Sequence, residues 1–102
     1  MMTIDLKDVE NIDCGADTPA EYYQSLQRAI NGGYWKLQGS FGRAMMDAID
    51  EGRCMLGLSA FRDHYGHHIP HRHQVIEGTK GSREFVVKHC GEEWARMLEG
   101  VS

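Results

Sequence analysis

The sequence contains no uninterrupted apolar run of the roughly 18 residues that a membrane-spanning helix needs. Its opening stretch, MMTIDLKDVE, carries acidic side chains where a secretory signal peptide has a basic patch followed by an apolar run. We therefore expect a protein that does not cross a membrane and does not follow the usual route of secretion. The compartment that fits this expectation is the cytoplasm.

Cysteine is scarce as well. The chain has three cysteines, Cys14, Cys54 and Cys90, and this odd number with wide spacing predicts no disulfide framework. Free thiols of this kind are typical of a reducing cytosol. The chain also lacks the Cys-x-x-Cys and His-Glu-x-x-His pairs whose spacing makes zinc motifs specific.

The sequence has no concentrated basic face of the kind that nucleic-acid-binding proteins present. The net charge is -4, and residues 1–51 carry nine acidic side chains against four basic ones. Residues 52–102 carry six acidic and seven basic side chains together with all six histidines. This distribution argues against nucleic acid as the main partner. The weak basic surface that remains consists of Arg62, Arg72, Lys80, Arg83 and Lys88.

A chain of 102 residues is the size of one domain and can bury a core without disulfides or metals. Residues 1–17 alternate short polar and apolar residues and contain five acidic side chains, so we expect an acidic, solvated N-terminal arm. A brief extended piece is possible at Thr3–Leu6. Residues 18–102 are expected to form a single helical domain.

Helical periodicity dominates that domain. Thr18 and Pro19 predict the start of a helix that ends at Gly32-Gly33. A second helix ends at Glu51-Gly52 and starts either at Tyr34 or, beyond the interruption by Gly39, at Ser40. Ser82 predicts the cap of a C-terminal helix over about 83–99, which is continuous, kinked or broken at Gly91.

The segment between the second and third helices, about 53–82, is expected to be long and irregular. Arg53–Phe61 is too short for its periodicity to distinguish a strand, a helical turn and a buried extended link. A small two-stranded element from about 54–58 and 73–77 is compatible with the pattern, and Arg62–Gly66 indicates a turn. The predicted fold class is therefore mainly α: a compact three-helix domain crossed by this segment.

Within this segment, His64–Ser82 contains five of the six histidines. Nitrogen and sulfur ligands suit zinc, but Gly66 and Pro70 disfavour the helix that would align the imidazoles. A solvated histidine-rich loop without a cofactor is the preferred interpretation, and a zinc site is the alternative. Its candidate ligands are His64, His67, His68, His71, His73, Cys54 and Cys90.

The run Gly78–Ser82 precedes the predicted C-terminal helix, where free backbone amides and a lysine make an anion site conceivable. The spacing of its glycines is not that of a Walker loop. An ordinary connector is preferred, and weak binding of nucleic acid or a nucleotide is the alternative. The residues concerned are Lys80, Gly81, Ser82 and Arg83.

Tyrosine and tryptophan are more numerous than a small three-helix core readily hides, and such side chains are favoured anchors of interfaces. Tyr23, Tyr34 and Trp35 are the candidate partner-binding residues. Cysteine–histidine pairs and neighbouring carboxylates can be found, but no local motif supports catalysis, so enzyme activity is the least supported class. A homodimer is left open.

Three stretches carry a resemblance: GSFGRAMMDAIDEGRCMLG at Gly39–Gly57, DHYGHHIPHRHQVIEGTKGS at Asp63–Ser82 and GEEWARML at Gly91–Leu98. They are similar to small accessory proteins encoded by bacteriophages, for which no activity is established. The resemblance implies a bacterial cytoplasm and an accessory role in infection, and it carries over no functional residue. The resulting hypothesis is a non-enzymatic interaction module that binds a host or phage protein through exposed aromatics, with an acidic first half suited to a basic partner.

Overall fold

The helix that the sequence predicts most clearly, α2 (Pro19–Gly32), lies at the centre of the fold. The computed structural model describes residues 6–36, 39–63 and 65–101. Thr18 is extended, with φ -132° and ψ 154°, and its hydroxyl accepts a hydrogen bond from the Glu21 amide. Gly33 ends α2 at φ 76°, and its N–H donates to carbonyls of the last turn. Both predicted ends of α2 are confirmed.

The described ranges contain five α-helices and one two-stranded antiparallel sheet, which confirms the mainly α class. The prediction of three helices is wrong, because a further helix forms near the N-terminus and the C-terminal helix is divided. The elements are α1 (Leu6–Cys14), α2 (Pro19–Gly32), a 3₁₀ turn (Tyr34–Lys36), α3 (Gly39–Asp50), β1 (Phe61–Arg62), β2 (His68–Ile69), α4 (Arg83–Cys90) and α5 (Glu92–Glu99).

Helix α1 replaces most of the predicted solvated arm and packs against α2 through polar side chains. The Asn11 amide donates to Ser25 Oγ at 2.9 Å, and Ser25 Oγ donates to Asp8 Oδ1 at 2.9 Å. Arg28 completes the network with an ion pair of 2.8 Å to the same carboxylate oxygen of Asp8. The arm prediction failed because this buried interface is hydrogen-bonded, so an apolar periodicity does not reveal it.

The extended piece expected at Thr3–Leu6 falls mainly on residues 3–5, which lie outside the described residues, and Leu6 is the first residue of α1. The second predicted helix begins at the later of its two possible starts, since α3 spans Gly39–Asp50. Its end at Gly52, where φ is 73°, agrees with the sequence.

After α3 the chain runs as a buried extended link, Cys54–Gly57, rather than as a strand or a helix. The Gln27 carboxamide, fully buried on α2, binds both backbone groups of Met55. Its Nε2 donates to the Met55 carbonyl at 2.8 Å, and its Oε1 accepts from the Met55 amide at 2.9 Å. Further along the link, Leu56 N–H donates to Gly81 O at 3.0 Å.

The two-stranded sheet exists, but not where the sequence placed it. Phe61 pairs with Ile69 and Arg62 with His68. The predicted pairing of 54–58 with 73–77 is wrong, because side chains and turns elsewhere in the chain already bind the backbone of the 54–57 link. The turn between the strands is closed by Asp63, as the sequence indicated.

The C-terminal segment forms two short helices that meet at Gly91, whose φ of 96° and ψ of 165° are outside the helical range. Of the three predicted alternatives, the break is therefore the one that occurs. Ser82 caps α4 by accepting from the Phe85 amide, as predicted. Arg83 ties the start of α4 to α5 by ion pairs with Glu92 and Glu99.

A single core lies between α2, α3, the extended link and the two C-terminal helices. None of the helices in the described part of the chain has the length and apolar character of a membrane span. The buried apolar side chains include Leu26, Ile30, Trp35, Met45, Ile49, Met55, Val86 and Leu98.

Candidate functional site

A pocket of about 280 Å³ lies between α2 and α3. Tyr22 and Tyr23 of α2 form one wall. The other wall is a stripe of α3 whose members recur every three or four residues and therefore share one helix face. We call this site the tyrosine pocket, and its second wall consists of Arg43, Ala44, Asp47 and Ala48 of α3 together with Glu51, which directly follows the helix.

The open space follows from the residue sizes along the α3 stripe. Ala44 and Ala48 lie one turn apart in the pocket wall, and neither methyl group reaches far from the helix backbone. Asp47 and Glu51 lie one position before and three positions after Ala48, so their carboxylates flank the space that the alanines leave. Small residues beside two tyrosines thus produce a recess with an aromatic wall and an acidic edge.

The aromatic wall is held by neighbours from two other parts of the chain. The rings of Tyr22 and Tyr23 meet edge to face, with centroids 5.0 Å apart. Trp94 of α5 packs edge to face on Tyr23 at 5.9 Å, and its indole N–H donates to the Arg53 carbonyl at 2.8 Å. These contacts hold the Tyr23 ring in a fixed orientation.

A guanidinium group already lies on this aromatic wall. The Cζ atom of Arg53 is 5.4 Å from the centroid of the Tyr23 ring, within the range of a cation–π contact. The Nε atom of the same side chain is 3.7 Å from Glu51 Oε2. The pocket edge therefore combines the two features that recognise arginine, an aromatic face and a carboxylate.

The electrostatics of the pocket keep both phenols neutral. Burial raises the pKa of Tyr22, and the nearby Cys54 thiol and the carboxylates of Asp47 and Glu51 raise it further. Burial also raises the pKa of Tyr23, against a smaller lowering effect from Arg53. The carboxylates thus create a negative potential at the hydroxyl group of Tyr22.

Asp47 has no ion pair within the described residues, although Arg43 lies one turn before it. By contrast, Asp50 has Lys80 at 3.7 Å and Glu51 has Arg53. The tyrosine pocket thus contains a carboxylate that the rest of the described chain leaves available.

The six candidate zinc ligands that lie in the described ranges are not brought together. Within the described ranges, no three His, Cys, Asp or Glu side chains form a metal-binding group. Cys54 is fully buried, which raises the pKa of its thiol, whereas His67, His68 and His73 are exposed and His71 is half-buried. Cys90 is half-buried on α4, and His64 lies outside the described residues.

Two of these histidines have contacts that shape their own loops. The Nδ1 atom of His67 lies 3.5 Å from Asp63 Oδ2 at the turn between β1 and β2. The Nδ1 atom of His71 accepts a hydrogen bond of 3.1 Å from the His73 amide. The structure thus gives these imidazoles local roles in turns.

The four candidate anion-binding residues are engaged within the fold. Lys80 Nζ lies 3.7 Å from Asp50, and Arg83 is paired with two glutamates of α5. Ser82 Oγ accepts from the Phe85 amide and donates to the Thr79 carbonyl at 2.7 Å. Gly81 is buried, and its carbonyl accepts from Leu56 N–H. These residues join the start of α4 to neighbouring segments.

The three predicted partner-binding aromatics differ in their surroundings. Trp35 is only 3% exposed and belongs to the core, so its assignment as a surface anchor is wrong. Tyr34 is half-buried, and within the described chain its hydroxyl is buried without a hydrogen-bond partner. Tyr23 is half-buried in the wall of the tyrosine pocket.

Sequence reasoning missed the residues that complete this pocket. Tyr22, Asp47 and Glu51 are not among the candidate partner-binding residues that the sequence indicates. The available signal was the spacing of Ala44, Asp47, Ala48 and Glu51, which places small and acidic residues on one face of α3.

No protein-family model matches the chain, and no curated protein or solved structure is significantly similar to it. No activity or partner is therefore transferred from a relative. A functional proposal rests on the side chains described above.

Proposed function

We propose that this protein is a small, non-enzymatic interaction module that binds a basic segment of a partner protein at the tyrosine pocket. The observation that carries the proposal is the combination of two tyrosines and two carboxylates, one of them without an ion pair among the described residues, around one recess. Tyrosine is enriched at the centre of protein interfaces, where its ring supplies contact area at a small cost in conformational entropy.

The charge of the chain supports a basic partner. Residues 1–51, which include both walls of the pocket, carry nine acidic side chains against four basic ones. Complementary charge mainly accelerates encounter and suppresses partners of the wrong sign. A positively charged segment would therefore be attracted to the half of the molecule in which the pocket lies.

The chemistry of the pocket favours binding of a side chain over catalysis. The raised pKa values of both tyrosines move these groups further from neutral pH, whereas efficient general acids and bases have values near it.

The resemblance to phage accessory proteins is the basis for a proposal on the origin of this protein and the compartment in which it acts. We propose a phage-encoded protein that acts in the bacterial host cytoplasm on a host or phage protein. The free thiols support a reducing compartment, since Cys14 is exposed and unbonded.

The test compares two double variants with the same change in net charge. Asp47→Lys with Glu51→Lys reverses the charge of the pocket, whereas Glu10→Lys with Glu93→Lys reverses two exposed acids on α1 and α5. Each protein is immobilised, incubated with host lysate and eluted for quantitative mass spectrometry. Circular dichroism and thermal unfolding confirm that both variants keep the fold.

We expect a defined partner with a basic surface segment that binds the wild type and the Glu10/Glu93 variant. Its capture by the pocket variant should fall by about tenfold or more, as expected when a charge pair is removed. Equal capture by both double variants would show that the pocket is not the binding site. Capture of nothing above background by the wild type would contradict the interaction module itself.

A further inference from the structure

The chain places a guanidinium group of its own, that of Arg53, at the edge of the tyrosine pocket. Arg53 follows α3 and folds back so that its guanidinium lies 5.4 Å from the Tyr23 ring centroid. Its Nε is 3.7 Å from Glu51, while the side chain remains 44% exposed. The side chain thus occupies the edge of the site and leaves the recess itself open.

The side of the pocket formed by Tyr22 and Asp47 also combines an aromatic ring with a carboxylate, and no cationic side chain of the described residues is paired with that carboxylate. The Tyr22 ring stands at about 81° to that of Tyr23, so the two rings present different faces. Asp47 lines the recess one turn before Glu51, and within the described residues it has no ion pair. Tyr22 and Asp47 together therefore offer an aromatic ring and a carboxylate, as Tyr23 and Glu51 do for Arg53.

We propose that the tyrosine pocket binds the guanidinium of an arginine side chain from the partner, between the Tyr22 ring and the Asp47 carboxylate, beside the resident Arg53. This inference rests on the proposed function and names the side chain that the basic segment inserts. Arginine fits better than lysine because its planar group stacks on an aromatic ring and binds a carboxylate through two N–H donors.

Arg43 opposes this ligand and sets its position in the pocket. It lines the same cavity one turn before Asp47 on α3, and eight residues before Glu51, which directly follows the helix. The positive charge therefore lies at the end of the stripe away from Glu51. Because like charges repel, the incoming guanidinium is expected on the side of Asp47 that faces Glu51, and removal of the Arg43 charge should strengthen its binding.

Capped five-residue glycine peptides with one central side chain test the inference directly. The central residue is arginine, lysine or citrulline, and citrulline is the uncharged analogue of arginine. Each peptide is titrated into isotope-labelled full-length protein, and NMR follows the ring signals of Tyr22 and the backbone amides of Ala44 and Ala48. The same titrations are run on Asp47→Asn, on Arg43→Gln and on the matched control Glu10→Gln, which lies outside the pocket.

The arginine peptide should produce saturable shifts confined to the pocket, with an affinity at least about fivefold above that of the lysine peptide. Citrulline should produce none. Asp47→Asn should weaken arginine binding about tenfold and Arg43→Gln should strengthen it, whereas Glu10→Gln should leave it unchanged.

Equal affinity for the arginine and lysine peptides would overturn the arginine preference and leave the basic-segment proposal standing. Shifts with citrulline equal to those with arginine would overturn a charge-based site. If neither charged peptide shifts a pocket signal while the wild type still captures a partner that the pocket variant loses, the side-chain assignment is wrong. If that capture also fails, both proposals are wrong.

Discussion

At the scale of single residues, buried polar groups decide how the irregular part of the chain is attached. Gln27 is the clearest case, because its carboxamide is fully buried and pairs with both the amide and the carbonyl of Met55. This pair of hydrogen bonds resembles one rung of a β-ladder, with a side chain in place of the second strand. It explains how Cys54–Gly57 is buried without belonging to a sheet.

Replacement of Gln27 by Met, which has a similar shape, should destabilise the protein by about 2–4 kcal/mol. Two backbone groups of Met55 would be left buried without partners, and each such group costs roughly 1–3 kcal/mol. Urea unfolding monitored by circular dichroism measures the change. Gln24→Met on the same helix is the control, because Gln24 is only half-buried, and its loss should stay within about 0.5 kcal/mol. Equal losses for the two variants would contradict the role of Gln27.

Tyr34 presents the opposite situation. Its hydroxyl is buried and, among the described residues, has no hydrogen-bond partner. Removal of a buried polar atom without a partner relieves a desolvation cost, so Tyr34→Phe should be neutral or stabilising by up to about 1 kcal/mol. Thermal and urea unfolding test this, and a loss above about 1 kcal/mol would show that the hydroxyl makes a stabilising contact.

At the scale of elements, a polar network attaches α1 to α2, in addition to the packing of the partly buried Ile12 against the core. Asp8 accepts from Ser25 and pairs with Arg28, and Asn11 donates to Ser25. Asp8→Ala should lower the free energy of unfolding by about 1–3 kcal/mol, chiefly because the Ser25 hydroxyl loses its buried acceptor. The ion pair adds less, since the Arg28 side chain is 42% exposed and solvent screens its charge.

Amide hydrogen exchange should show where the effect of Asp8→Ala lies. Protection should fall first in α1, before the core amides of α2, because α1 is attached by this network. Asp13→Ala, an exposed acid on the same helix, is the matched control and should leave the protection of α1 unchanged. Uniform loss of protection across all helices would argue against a separately attached α1.

The turn between β1 and β2 should respond to acid. Burial alone would raise the pKa of Asp63, but hydrogen bonds from the His67 and Tyr65 amides and the nearby His67 ring lower it more. The folded pKa lies below the unfolded value of about 3.9, so the turn is stabilised above that pH and loses this contribution as the pH falls through the folded pKa. NMR titration of the Asp63 carboxyl carbon should give a midpoint below about 3.9, and a midpoint above it would contradict the hydrogen-bond geometry.

Element predictions from the sequence succeeded where local chemistry decides the structure. The predicted caps at Thr18, Gly33 and Ser82 are correct because a side-chain hydroxyl suffices to begin a helix and a left-handed glycine suffices to end one. The strand pairing differs from the expected one because the backbone of residues 54–57 finds its partners in the distant residues Gln27, Arg72 and Gly81. No short window of sequence contains that information.

At the scale of the whole molecule, the sequence indicated an acidic interaction module but misplaced part of its surface. Tyr23 lies in the wall of the tyrosine pocket, whereas Trp35 is in the core because the 3₁₀ turn directs it inward between α2 and α3. Asp47 and Glu51 became candidates only when α3 was seen against Tyr22. Which face of a helix meets which neighbour depends on packing, and periodicity alone gives only the face.

The histidine-rich segment, which dominates the sequence by eye, forms the turns around β1 and β2 in the described structure. The recess between α2 and α3, lined by two tyrosines and two carboxylates, is unremarkable in sequence. We therefore propose that binding lies on the first half of the chain, whereas His67 and His71 have local roles in turns.

The most direct test of this placement is an NMR shift map of the isotope-labelled protein in complex with the partner captured from host lysate. We predict that the largest changes fall on Tyr22, Tyr23 and residues 43–51, with residues 65–77 unchanged. Changes confined to residues 65–77, with the tyrosine pocket unaffected, would contradict the account.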